Sequence, residues 1–125
     1  MSGAVLDTGA LIAIERGDRH VVGLVAEARQ MRMTLTVPAG CVAQVWRDPR
    51  RQARLATFLR RSNVDIVALD ADDARRVGLM LSASGTTDVV DAHVAVCALR
   101  RGAPVLTSDP EDIETLAPTI CVHRI

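Results

Sequence analysis

The sequence predicts an α/β fold, a three-layer α/β/α sandwich built on a mainly parallel sheet of about five strands. Three observations predict it. Short apolar, β-branched runs alternate along the whole chain with longer segments of helical periodicity. The chain has 125 residues, 49% of them hydrophobic, which suits one domain over residues 1–125 with a proper core. Acidic residues recur just where apolar strands end and helices begin, at Asp7, Asp88 and Asp109.

Each element has its own signal. "GAVLD", closing on Asp7, is a buried-strand run. "TGALIAIERG" follows as a helix with Thr8 as its cap and Gly17 as its stop. "HVVGLVAEARQ" is a second helix, apolar at Val21, Leu24, Val25 and Ala28. "MTLTV" alternates and is β-branched, a strand ended by Pro38. "AGCVAQVWR" is helical. Asp48-Pro49 then marks a turn, with the proline at a new helix start, and "RRQARLATFLRR" is amphipathic with Leu55, Phe58 and Leu59 on one side. "VDIVAL" is a strand, and "DADDARRVGLMLSASG" a helix opened by acids and closed by Gly85. "DVVDAHVAVCALRRG" is a further helix, "APVLTSD" a strand ending in an acid, "EDIETLA" a short helix and "ICVHRI" a last strand.

Composition removes several function classes. All 15 basic residues are Arg, so lysine chemistry, from Schiff bases to a P-loop, is excluded. Net charge is +0, and Trp46 and Phe58 are the whole aromatic complement, so neither an overall basic field nor a base-stacking platform is present. No G-x-G-x-x-G motif offers a dinucleotide site. Cys41, Cys97 and Cys121 are odd in number and widely spaced, and read as small buried residues. His20, His93 and His123 read as structural. The N-terminus lacks the basic flank of a signal peptide, and no apolar run reaches membrane-spanning length, so a cytoplasmic protein with no membrane contact is expected.

The acids carry the chemistry. In open α/β sheets, ligands bind outside the carboxyl ends of the strands, at a switch point. Asp7 and Asp109 end strands; Asp88 and Asp91 lie three apart and share a face at a helix start; Asp112 follows Asp109 by three. Helix capping accounts for Asp88 and Asp109 taken singly. It does not account for Asp91, set among Val89, Val90, Ala92 and Val94, nor for an acid closing an apolar strand at Asp7. Converging carboxylates repel and raise one another's pKa, and a divalent cation resolves the conflict. Oxygen-only ligands select magnesium or manganese over zinc.

"VLDTGALIA", "DVVDAHVAVCALRRGAPVLTSDPEDI" and the element order between them resemble a PIN domain of the VapC toxin type, over essentially the whole chain. The resemblance implies a parallel sheet flanked by helices, cleavage of RNA dependent on Mg2+ or Mn2+, control by a cognate protein antitoxin, and a homodimer. Residue by residue, it matches Asp7, Asp91 and Asp109 to the family's catalytic, metal-holding acids, and Thr8 and Ser108 to accessory hydroxyls. One position departs: "VAQVWR" has Gln44 where the family often has Glu. Gln44 can still ligate or hold a water but adds no charge, and Asp88 and Asp112 are extra acids that could compensate. For RNA attraction the local Arg excess in "RDPRRQARLATFLRR" offers Arg50, Arg51 and Arg54, since Arg suits bidentate phosphate contact, with an ordinary solvated helix face as the equal alternative. The alternative is a catalytically weakened PIN-like domain that binds RNA or protein, for which Gln44 is the best support. A structure-specific DNA nuclease is a further rival, disfavoured by the lack of arms to hold a duplex.

Overall fold

The computed structural model describes residues 2–125. Its elements run β1 (Ser2–Leu6), α1 (Thr8–Arg16), α2 (Arg19–Gln30), β2 (Thr34–Pro38), α3 (Ala39–Val45), α4 (Ala53–Leu59), β3 (Val64–Val67), α5 (Ala71–Ser84), α6 (Val89–Arg101), β4 (Val105–Thr107), α7 (Pro110–Leu116) and β5 (Val122–Arg124). The five strands form one sheet in the order β3-β2-β1-β4-β5, and every pairing is parallel. β1 sits at the centre. The chain winds outward from it through β2 to β3, then crosses back to β4 on its other side. The switch point therefore falls between β1 and β4.

Burial follows that order. Val5, Leu6, Val37 and Val105 on the inner strands are fully buried, whereas β3 and β5 at the edges are half-exposed. Helices α2, α3 and α4 pack around α1, while α6 packs on β1 and β2 and is flanked by α5 and α7. The α6 sequence is apolar almost all round because Ala92 to Ala98 are all buried, between the sheet and the outer helices. Small Ala, Val and Cys side chains let it lie that close. Gly17, Gly85 and Gly102 end α1, α5 and α6 in left-handed conformations, as their C-terminal positions require.

Four local expectations need correction. β1 stops at Leu6, and Asp7 rather than Thr8 caps α1, by accepting from the Ala10 amide. An extended Asp with a free carboxylate oxygen outcompetes the threonine one residue later. Pro49 opens a turn, not a helix; α4 begins only at Ala53, after Gln52. Strand β3 is shorter than "VDIVAL", because β2 beside it ends at Pro38 and leaves Ala68 and Leu69 no partner. Cys121 is exposed, at the sheet's edge, while Cys41 and Cys97 are buried as expected.

Candidate active site

The switch-point geometry sets the acids. Asp7 follows the last residue of β1, and Asp109 lies two residues past the end of β4, its parallel neighbour. Asp91 stands in the first turn of α6. Asp7 is only 6% exposed, and its burial pushes its carboxyl up from the ordinary range, while hydrogen bonds from Thr107 and the Ala10 amide pull the other way. Asp91 is pushed up to about 6, first by burial, then by the negative charges of Asp88, Asp112, Asp7 and Asp109. Four acids thus act on Asp91, and Asp109 also on Asp7, at the carboxyl ends of the central strands. Among the described residues, none of the five forms an ion pair.

Fine structure holds Asp7 in place. Its Oδ1 accepts from the Ala10 amide at 2.9 Å. The buried Thr107 hydroxyl accepts from the Asp109 amide at 2.9 Å and stands near enough to the Asp7 carboxylate to favour its charged form. Thr107 is not among the sequence candidates, because a threonine inside a strand reads as β-branched filler. Ser108, which is, lies exposed against Gly9, where a Cβ would collide with its hydroxyl. Gly9 therefore permits the close approach of α1 to the end of β4.

The other candidates divide. The Thr8 hydroxyl donates to the Gln44 side-chain oxygen, joining the starts of α1 and the end of α3 beside Asp7. Asp88 caps α6, its Oδ1 accepting from the Asp91 amide at 2.9 Å. It also lines, with Thr87, Asp91, Asp112 and Thr115, a polar recess of about 300 Å³. Asp109 holds the cap position of α7 yet makes no side-chain cap bond, so its carboxylate is free. The arginine trio is split. Arg51 lines a cleft of about 500 Å³ together with Gln44, Arg16 and Arg47. Arg54 faces a different, more apolar groove, against Gly17 and the Glu15 carbonyl, and Arg50 is exposed and lines neither. Arg16 was outside the sequence candidates since it ends a helix before the local arginine run.

Gln52 is a second residue without a sequence signal. Buried in the α3–α4 turn, its amide oxygen accepts from the Arg47 and Asp48 amides at 2.8 and 3.1 Å, and its nitrogen donates to the Val45 carbonyl and to Glu15. This fixes the turn that presents Arg47 and Arg51. Away from the acids, His93 is buried and its Nε2 meets Asp73 Oδ2 at 2.8 Å, between α6 and α5.

A hard divalent cation fits the first cluster. The donors are carboxylate oxygens, two of them with charge made costly by burial, and no cationic side chain pairs with them. Among the described residues the oxygens of Asp7, Asp91 and Asp109 do not all lie within 4.8 Å of one another, so the match to such an ion is one of donor chemistry and shared charge.

Comparison with known proteins agrees with this layout. A family model described as PIN domain matches residues 4–117. The fold is similar to solved structures: a DNA-bound VapBC complex from Salmonella typhimurium (TM-score 0.73, 20% identity, covering 99% of this chain and 98% of the other) and VapBC2 from Rickettsia felis bound to a promoter DNA fragment (TM-score 0.72, 15% identity, 98% of each chain). A toxin–antitoxin complex from Klebsiella pneumoniae is also similar, with TM-score 0.70, 18% identity and coverage of 98% and 100%. A search of curated proteins finds no match.

Proposed function

Since this chain belongs to the PIN-domain family, we propose that it is a magnesium- or manganese-dependent endoribonuclease, the toxin of a toxin–antitoxin pair, acting in the cytoplasm as a homodimer. What supports the reading is that the charges of Asp7 and Asp109 act on Asp91 near the switch point, with no ion pair to any of the three among the described residues. A divalent ion held there supplies Lewis acidity to a backbone phosphate and to an attacking water. The protein's part is placement. Asp7 is fixed by its cap bond, with Thr107 beside it; Asp91 is fixed by the rigid, buried α6; Asp109 is free to turn toward the ligand. Thr8 steadies the Gln44 amide, which can hold a water but adds no charge. The cleft lined by Arg16, Arg47 and Arg51 opens beside Gln44 and suits a phosphate backbone. No side-chain nucleophile is required, which agrees with the absence of a Ser or Cys beside a histidine at this edge.

The toxin reading draws on the toxin–antitoxin complexes among the similar structures. The groove of about 480 Å³ lined by Ile14, Val22, Val25 and Phe58, with Arg54 and Arg61 at its polar side, supports an antitoxin partner. Arg61 lies over the Phe58 ring with its Nε and one Nη lacking hydrogen-bond partners, so an acidic amphipathic segment fits there.

The deciding experiment is cleavage of a transcript pool by purified protein with manganese, with and without EDTA. Cleavage abolished by EDTA, and by Asp7→Asn and Asp91→Asn in folded protein, is expected. RNA that is bound but never cut, by protein whose melting is insensitive to manganese, overturns the nuclease reading and leaves the binding-module reading that Gln44 favours.

A further inference from the structure

Asp73, His93 and Cys97 come together at the seam between α5 and α6, on the opposite side of α6's first turns from the acids already described. One ligand atom from each lies within 4.8 Å of the others. The residues are 2%, 2% and 0% exposed. His93 and Cys97 are four apart on α6 and share a face. Asp73 comes from the first turn of α5, twenty residues upstream of His93, so the set is invisible along the sequence. We propose that these three side chains form a binding site for a borderline-soft divalent cation, zinc by preference, distinct from the carboxylate site at the sheet edge.

The donor set decides the class of ion. One imidazole nitrogen, one thiolate sulfur and one carboxylate oxygen are zinc ligands, and poor ligands for magnesium or manganese. The competing explanation is a clamp: His93 bonds Asp73 Oδ2 at 2.8 Å, and an Arg100 nitrogen stands 2.8 Å from Asp73 Oδ1. Two features exceed what a clamp needs. Asp73 Oδ1 is met only by the Arg100 guanidinium, in an ion pair whose angle falls short of a hydrogen bond, so this buried oxygen is loosely held and can exchange one cation for another. A clamp also has no use for a thiol, where Ala or Val would fill the space as well. Zinc bonds of about 2.0–2.3 Å place ligand atoms roughly 3.3–3.7 Å apart, so the His93–Asp73 pair must open by roughly half an ångström. Arg100 can give way, because it already contacts the exposed Asp72 as a second partner. On binding, the Cys97 thiol releases its proton to solvent and the sulfur lone pair goes to the ion. Such an ion would pin α5 to the helix that carries Asp91.

Cobalt(II) replaces zinc in such sites and reports thiolate ligation by a near-ultraviolet charge-transfer band. Reduced, EDTA-stripped protein is titrated with cobalt, then with zinc. The expected result is one thiolate-ligated cobalt per chain, read from a band that zinc displaces. The band persists in Asp7→Asn with Asp91→Asn, in Cys41→Ser and in Cys121→Ser, and vanishes in Cys97→Ser and His93→Gln. Persistence in the aspartate variants separates this site from the nuclease reading, so either can fail alone. Zinc affinity drops in Cys97→Ser by more than the roughly 10–100-fold typical of losing an outer-shell partner. Cys97→Ala carries the same expectation if the buried serine unfolds the chain by circular dichroism. Arg100→Gln is the sharpest arm: removing a positive charge beside a cation tightens zinc binding by about tenfold, whereas removing a clamp's partner only lowers melting. No thiolate band, or a band that survives the loss of Cys97, overturns the proposal.

Discussion

Asp91 carries the most informative charge in the molecule, because it is only half-buried yet surrounded by four other acids. Its folded pKa, pushed up to about 6, lies above the unfolded value, so ionising it disfavours the fold. The stability it confers is fully present below the unfolded pKa, near pH 4, and is lost as pH rises through about 6. Asp91→Asn removes that dependence. In metal-free buffer the variant should match the parent at pH 4 and exceed it at pH 8 by about 1–2 kcal/mol, a value discounted for partial solvent screening. With manganese the order should reverse, since only the parent binds, and its affinity should climb between pH 5 and 7. A parent that gains metal-free stability from pH 5 to 8 relative to Asp91→Asn would contradict the carboxylate cluster. Gln44 gives the complementary test. The Thr8 hydroxyl that donates to its amide oxygen can donate equally to a carboxylate, so Gln44→Glu should keep the local geometry, raise manganese affinity about tenfold and lower metal-free stability. Calorimetric titration reads both. These acids were legible because carboxylates among apolar residues demand an explanation. Thr107, whose hydroxyl accepts from the Asp109 amide near Asp7, was not, since that hydroxyl gains meaning only when β1 and β4 become neighbours.

At the level of elements, the start of α6 and the α3–α4 turn show what patterning does and does not reveal. Asp88 and Asp91 read as a pair sharing a face, and the structure gives Asp88 the cap while both carboxylates border the same recess. Asn caps nearly as well as Asp. Asp88→Asn should therefore change melting little, and should reduce manganese affinity about 10–100-fold if its other oxygen steadies an ion-bound water. Unchanged affinity would make Asp88 a cap alone. The turn is the contrary case. Asp48-Pro49 signals a turn, but nothing local shows that a glutamine three residues on will be buried to hold it. Gln52 satisfies two part-buried amides and a buried carbonyl, and Gln52→Ala would remove all three bonds at once. Denaturant unfolding should show a loss of about 2–3 kcal/mol, more than any exposed arginine in the same stretch would cost.

Over the whole molecule, alternation of period-2 and period-3.6 segments was enough to read an α/β/α sandwich, because each element had to bury one face in a chain this short. Strand order was not readable. It depends on which side of β1 each crossover returns to, and β4 is too short to advertise itself as a central strand. That order also decides what the arginines do. On the proposed ribonuclease reading, a chain of zero net charge must draw RNA by where its charge sits, not by how much there is. Sequence proximity groups Arg50, Arg51 and Arg54, but folding sends Arg51 to the cleft beside Gln44, with Arg16 and Arg47, and turns Arg54 to the apolar groove near Phe58. The two groups should separate in a salt titration. Each phosphate contact releases condensed counterions, so affinity for a single-stranded RNA falls with log salt at a slope of about 0.7 per contact. Arg47→Gln and Arg51→Gln should each flatten that slope by about that amount, additively, measured in metal-free buffer with EDTA so that cleavage does not intrude. Arg54→Gln should leave the slope unchanged and instead weaken capture of an acidic amphipathic peptide by the groove it lines. If Arg54 changes the RNA slope as much as Arg51 does, the RNA path runs over α4 and not through the cleft beside Gln44, and the acidic edge must then be reached from the other side.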